Sequence, residues 1–63
     1  MDVSKLKTGD KIVYSDGRDG HVNVIADILE ITDKGMTVKF EDRARPTYIA
    51  FTERAWMDHL SAK

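Results

Sequence analysis

One stretch of the chain, residues 28–42, contains two strand patterns that meet across a turn. After the turn, Met36, Val38 and Phe40 alternate with polar side chains, which is the period of two that a strand with one buried face requires. Before the turn the residues are apolar and mostly β-branched except for Glu30, so the alternation slips by one residue and indicates a β-bulge. The stretch therefore predicts a β-hairpin.

The turn of this hairpin reads Thr32-Asp33-Lys34-Gly35. Polar turn formers followed by glycine are typical of a type I turn closed by a residue in the left-handed conformation, which glycine adopts without a Cβ clash. We therefore expect a left-handed backbone at Gly35. We also expect its replacement by valine to cost more stability than an ordinary surface change.

Two more strands and a helix follow from similar patterns. Residues 22–31 predict one long, bent strand that includes the first arm of the hairpin. Residues 11–14 and 47–51 also alternate with a period of two. Near the C-terminus, Trp56 and Leu60 lie four residues apart and predict a helix over about residues 53–61, with an apolar stripe on one side.

The beginning of the chain resembles small SH3-like barrels, including the KOW and Tudor types. The resemblance is carried by Leu6, the Gly9-Asp10 turn and the alternating strand that follows. Residues 17–25 are similar to the glycine-x-x-glycine-x-valine-x-x-isoleucine core of a KOW motif.

A second register of that motif uses Ile28 and Ile31 as the valine and the isoleucine, with Ala26 and Asp27 at the glycine position. Both registers stay open, and the resemblance implies the barrel without a KOW ligand. We therefore expect a mainly β chain, a small SH3-like barrel of four or five antiparallel strands with a short C-terminal helix. Residues 1–63 would form this single domain.

Length and composition narrow the range of functions. A chain of 63 residues buries only about 60% of the surface that its unfolded form exposes, so a large enclosed active site is not expected. Cysteine is absent, which excludes disulfides and thiolate metal sites and leaves self-association as one source of stability. A homodimer is therefore among the states that we expect.

The charge balance and the N-terminus bear on partners and location. Ten basic and eleven acidic residues give a net charge of −1, so no overall field draws the chain to nucleic acid or to anionic lipid. No segment has the length of a membrane span, and residues 1–5 do not resemble a signal peptide. These features favour a cytoplasmic protein with no membrane partner.

No set of side chains indicates catalysis, a metal or a cofactor. His21 and His59 are the only histidines, and their spacing to Asp19 and Asp58 matches no usual metal signature. No nucleophile is placed with a base that would activate it. We therefore expect a chain that is not an enzyme and that uses no cofactor.

Two groups of residues are candidate sites. The partner set would contact another protein or a second copy through aromatic and methionine side chains; it consists of Tyr14, Tyr48, Trp56 and Met57. The basic set would contact phosphates of a nucleic acid; it consists of Lys39, Arg43, Arg45 and Arg54. Acidic residues interleave with the basic set, which is also typical of an ordinary solvated rim.

The function that we expect is a non-enzymatic protein-interaction or adaptor module. Small accessory genes of phages and other mobile elements encode modules of this kind, and we expect such an origin here. A nucleic-acid-binding regulator that uses the basic set is the alternative. A further alternative is an oligomeric enzyme with its site at a shared pore.

Overall fold

The chain is described by a computed structural model over residues 3–15 and 23–62. These residues form a short 3-10 helix, five strands and one α-helix of a single turn. The 3-10 helix is Val3–Lys5, the strands are β1 (Lys11–Tyr14), β2 (Val24–Ile31), β3 (Gly35–Phe40), β4 (Thr47–Ala50) and β5 (Leu60–Ala62), and the helix is α1 (Arg54–Met57).

The five strands form one open antiparallel sheet in the order β4-β3-β2-β1-β5. Consecutive strands from β1 to β4 pair as a meander, and β5 returns to the far side of β1. The prediction of a mainly β chain with antiparallel strands and a short helix is confirmed. Residues 16–22, which include most of the KOW-like segment 17–25 and the first residue of the strand predicted over residues 22–31, lie outside the described part of the chain. Asn23 is described and is not part of a strand, so β2 begins at Val24.

One face of the sheet carries the core. Each strand contributes side chains that are at most 5% exposed, and together they are Ile12, Ala26, Ile28, Met36, Val38, Phe40, Ile49 and Leu60. Full burial of a large aliphatic or aromatic side chain stabilises the fold by about 2 kcal/mol. The alternation predicted for β3 is confirmed, because Met36, Val38 and Phe40 are buried while Thr37 and Lys39 are partly exposed.

The predicted bulge lies in β2 at Leu29. Ile28 pairs with Val38, whereas Glu30 pairs with Thr37, so Leu29 is an extra residue on its strand. A regular strand would have turned the Glu30 carboxylate toward the core, on the same face as Ile28. The bulge therefore keeps Glu30 in water and lets the strand continue.

The hairpin turn is held by the side chain of Thr32. Its hydroxyl accepts hydrogen bonds from the N–H groups of Gly35 at 3.1 Å and Lys34 at 3.3 Å. The Thr32 N–H donates to the Gly35 carbonyl at 2.8 Å. The left-handed backbone expected at Gly35 is wrong, because Gly9 is the only residue with a positive φ angle in the described part of the chain.

The C-terminal prediction is correct only in part. The helix ends at Met57, and Leu60 and Ser61, which were expected in its second turn, belong to strand β5 (Leu60–Ala62) instead. Glu53 occupies the N-cap position without a side-chain capping bond. The physical reason is long-range pairing. β5 hydrogen-bonds along β1 and buries Leu60 in the core, and these interactions stabilise the segment more than a second turn of a short, uncapped helix would.

Candidate binding surface

Four aromatic rings meet where β1, β3 and the C-terminal segment come together. Trp56 stacks on Phe40 with ring centres 5.5 Å apart and planes 24° apart. The Tyr14 ring meets both edge-on, at 6.4 Å from Phe40 and 5.5 Å from Trp56, and it lies 5.7 Å from His59. We call these four residues the aromatic cluster. Each such ring pair contributes about 1 kcal/mol beyond its buried area.

Local structure explains why these rings converge. Tyr14 lies two residues after buried Ile12 on β1 and so points to the same face, and Phe40 is the last residue of β3. The single turn of α1 carries Trp56. The Ser15 N–H donates to the His59 carbonyl at 2.9 Å, which fixes the segment after α1 beside the end of β1.

Arg43 covers one side of the aromatic cluster. Its guanidinium carbon lies 5.7 Å from the centre of the Phe40 ring and 5.6 Å from the Trp56 ring, and the residue is exposed. A guanidinium within about 6 Å of a ring face is attracted by the ring quadrupole. Tyr14, Trp56 and His59 remain partly exposed, so the surface combines aromatic rings with a positive charge.

Lys39 braces the loop that presents Arg43. Its ammonium donates to the Phe40 carbonyl at 2.8 Å and also to the Arg43 carbonyl. The Arg43 N–H in turn donates to the Phe40 carbonyl at 3.2 Å. The Lys39 charge is therefore engaged with backbone oxygens, and the loop after β3 is fixed in the conformation that places Arg43 over the rings.

Among the described residues there is a single salt bridge, and it includes neither Arg43 nor a residue of the aromatic cluster. The Lys11 ammonium is 2.5 Å from a carboxylate oxygen of Asp27, directly across from it on β2. That hydrogen bond, together with the carboxylate charge, raises the pKa of Lys11 above its ordinary value. Arg43 has no ion-pair partner within residues 3–15 and 23–62.

The structure divides the partner set. Tyr14 and Trp56 are in contact within the aromatic cluster. Tyr48 is more than half exposed on β4, where buried Ile49 next to it points to the opposite face. Met57 packs against the core and, with Phe51, Arg54 and other residues, lines a shallow depression near the 3-10 helix.

The basic set is likewise divided. Lys39 hydrogen-bonds to the Phe40 carbonyl at the start of the loop, and Arg43 lies over the aromatic rings. Arg45 is exposed in the connection between β3 and β4. Arg54 begins α1 and lines the depression that contains Met57.

Phe40 and His59 belong to the aromatic cluster but were in neither the partner set nor the basic set. The signal for Phe40 was its place as the last core-facing residue of a strand next to a basic loop.

Other features of the described residues bear on chemistry. No group of three histidine or carboxylate side chains is placed to hold a metal within residues 3–15 and 23–62. His59 belongs to the aromatic cluster, whereas His21 and Asp19 lie outside the described residues. No helix in the part of the chain that the structure describes is long and apolar enough to cross a membrane.

The chain was compared with known proteins and structures. Searches against protein-family models, curated proteins and solved structures found no match to the chain.

Proposed function

We propose that this chain is a small non-enzymatic adaptor that binds a protein partner through the aromatic cluster and Arg43. The observation that carries the proposal is the position of Arg43, exposed and within 6 Å of two ring centres, with no ion pair among the described residues. Arginine, tryptophan and tyrosine are the residues that contribute most often to binding energy at protein interfaces. Here Arg43, Trp56 and Tyr14 lie side by side.

The surface favours a partner segment that carries a carboxylate next to an apolar side chain. Contact with two rings restricts the guanidinium of Arg43, which makes no salt bridge among the described residues, so less conformational entropy is lost when it binds a carboxylate in a bidentate manner. The exposed parts of the Tyr14 and Trp56 rings supply apolar contact beside that charge. The preferred ligand is therefore an acidic peptide segment with an aromatic or aliphatic neighbour.

Nucleic-acid binding is the second candidate, because an arginine beside aromatic rings also suits a phosphate and a base. Two observations make it weaker. The Lys39 ammonium is engaged with carbonyls, and exposed Glu41 and Asp42 directly precede Arg43. A nucleic acid is a continuous line of negative charge and would meet these two carboxylates, whereas a single carboxylate at Arg43 would not.

We extend the proposal to the fold and its setting. The pairing of β2 supports an SH3-like barrel, in which a long bent strand belongs to both halves. β2 pairs with β1 over residues 24–27 and with β3 over residues 26–31. The bulge at Leu29 lies in the part that pairs only with β3, and it bends the strand there. The lack of cysteine fits a reducing compartment such as the cytoplasm. An adaptor of this size fits the accessory genes of mobile elements.

A displayed peptide library tests the protein-binding proposal, because the selection does not require an identified partner. We expect the wild-type chain to enrich peptides in which Asp or Glu lies beside an apolar residue. Arg43→Ala should lose these peptides, while Arg45→Ala should retain them, because Arg45 lies in the same loop, is also exposed and contacts no ring among the described residues. Failure to enrich any peptide, or equal retention by Arg43→Ala, would contradict the proposal.

Retention on DNA and RNA tests the second candidate. If it holds, the chain is retained at low salt, elutes as salt rises, and loses retention in the double variant Arg43→Ala, Arg45→Ala. The absence of retention at low salt would exclude nucleic-acid binding.

A further inference from the structure

At the outer edge of β4, one backbone N–H group donates its hydrogen bond to a side chain of the segment that follows the strand. The Ala50 N–H donates to a carboxylate oxygen of Glu53 at 3.1 Å. The Glu53 N–H donates back to the Ala50 carbonyl at 2.9 Å. Both backbone groups of Ala50 are therefore engaged by one residue.

The pairing of β3 with β4 shows that these groups of Ala50 face outward. Gly35 is directly opposite Ala50, yet the Gly35 carbonyl accepts its bond from Thr32 and the Ala50 N–H goes to Glu53. The N–H of the next residue, Phe51, points the other way and donates to the carbonyl of Lys34, the residue before β3, at 2.9 Å. Because the direction alternates along an antiparallel strand, Tyr48 and Ala50 present their N–H and C=O groups to the free edge.

Few donors are left on this edge. Pro46 immediately precedes β4 and has no N–H to offer. With Ala50 occupied by Glu53, the Tyr48 N–H is the remaining outward donor between Pro46 and Ala50. An exposed edge strand is otherwise a template for pairing with another strand, and proteins often block such edges with charged side chains and proline.

We propose that the Glu53 carboxylate blocks the β4 edge against pairing with β4 of a second copy of the chain. A two-fold axis at Ile49 would bring Tyr48 of each copy opposite Ala50 of the other, which makes the pairing self-complementary. Each of the two Tyr48–Ala50 pairs would then exchange both of its N–H···O bonds, with the Ala50 carbonyl accepting a second bond beside the one from the backbone N–H of residue 53. Glu53 removes the Ala50 donor from both pairs at once, and its carboxylate lies where the second strand would run.

This inference is independent of the proposed adaptor function, since the aromatic cluster and Arg43 are not part of the β4 edge. It bears on the homodimer that the composition allows. With the edge blocked, self-association through β4 is suppressed, and the chain can carry a short exposed strand without aggregating.

The test replaces Glu53 by serine and follows self-association by sedimentation over a concentration series. Serine is a favoured N-cap residue, so it supports the start of α1, but its hydroxyl is too close to the backbone to reach the Ala50 N–H. Glu53→Gln is the conservative control, because its amide oxygen can still accept the bond. Asp42→Ser is the charge-matched control, an exposed carboxylate outside β4.

We expect Glu53→Ser to self-associate at concentrations at least about tenfold lower than the wild-type chain, with both controls close to wild type. Amide hydrogen exchange at Tyr48 and Ala50 should then slow as the concentration of Glu53→Ser rises, which places the contact at this edge. The inference is overturned if Glu53→Ser sediments as wild type does, if Asp42→Ser self-associates equally, or if the added protection lies on another strand.

Discussion

The Tyr48 ring lies over Gly35. A Cβ built on Gly35 would come within 2.5 Å of the Tyr48 hydroxyl oxygen and 2.5 Å of the Ile49 carbonyl oxygen. Gly35 is therefore required by close approach of its neighbour strand and not by a left-handed backbone. The same contact gives Tyr48 a structural role on the outer face, separate from the aromatic cluster.

Gly35→Ala should destabilise the chain by about 2 kcal/mol or more, because the Ile49 carbonyl is backbone and cannot move aside cheaply. Urea unfolding measures the loss. Gly9→Ala is the control: a Cβ there meets open space, and its φ of 94° makes strain the main cost, about 1 kcal/mol. Full rescue of Gly35→Ala by Tyr48→Ala would show that the tyrosine ring alone, and not the strand backbone, excludes a side chain.

Thr32→Val should cost about 1 to 2 kcal/mol, since it removes the hydroxyl that accepts the Gly35 and Lys34 N–H bonds at the hairpin turn. Valine keeps the shape of threonine, so the loss reports the hydrogen bonds. Thr37→Val on the adjacent strand is the matched control and should change stability by less than about 0.5 kcal/mol. Similar denaturation midpoints for the two variants would mean that the hydroxyl does not hold the turn.

Deletion of Leu29 should be tolerated better than deletion of Asp27. Without Leu29 the strand becomes regular, and Ile28, Glu30 and Ile31 keep their present faces. Without Asp27 the side chains on one side of the deletion exchange faces, which exposes core residues or buries polar ones. Thermal unfolding of both deletions decides this; an equal loss of stability would contradict the assignment of Leu29 as the inserted residue.

The hairpin was predictable because the residues that indicate it are close together in the sequence. The period of two in β3, the polar turn and the misplaced Glu30 are adjacent in sequence, and the structure confirms the strands and the bulge. The reason for Gly35 was not predictable, because the contact that requires it comes from Tyr48 and Ile49 on another strand.

The C-terminal strand could not be predicted for the same reason. Leu60, Ser61 and Ala62 have no strand pattern of their own, and their conformation is set by pairing with β1. In the candidate site, Tyr14 and Trp56 were expected to act together and are in contact. Arg43 was assigned to a basic set, and only the fold places it over Trp56.

The ion pair between Lys11 and Asp27 should stabilise the chain at neutral pH and cease to do so in strong alkali. The pKa of Lys11 is raised in the folded chain by its hydrogen bond to the Asp27 carboxylate. The stabilisation is therefore complete below the pKa of Lys11 in the unfolded chain and is lost as pH rises through the folded value.

Unfolding of Asp27→Asn as a function of pH measures this effect. The difference in stability between the wild-type chain and Asp27→Asn should disappear at alkaline pH and shrink in high salt, because the pair is exposed. Asp42→Asn, which removes an exposed charge, controls for net charge. A difference that persists after Lys11 has lost its proton would mean that Asp27 acts through some other contact.

The most direct test of the adaptor proposal uses the fluorescence of Trp56, the single tryptophan of the chain. The wild-type chain is titrated with an acidic peptide selected from the library, alongside Arg43→Ala and Arg45→Ala. We predict a saturable change in Trp56 emission for the wild-type chain and for Arg45→Ala, and at least about tenfold weaker binding for Arg43→Ala. Unchanged emission at saturating peptide, or equal affinity in all three chains, would contradict the account.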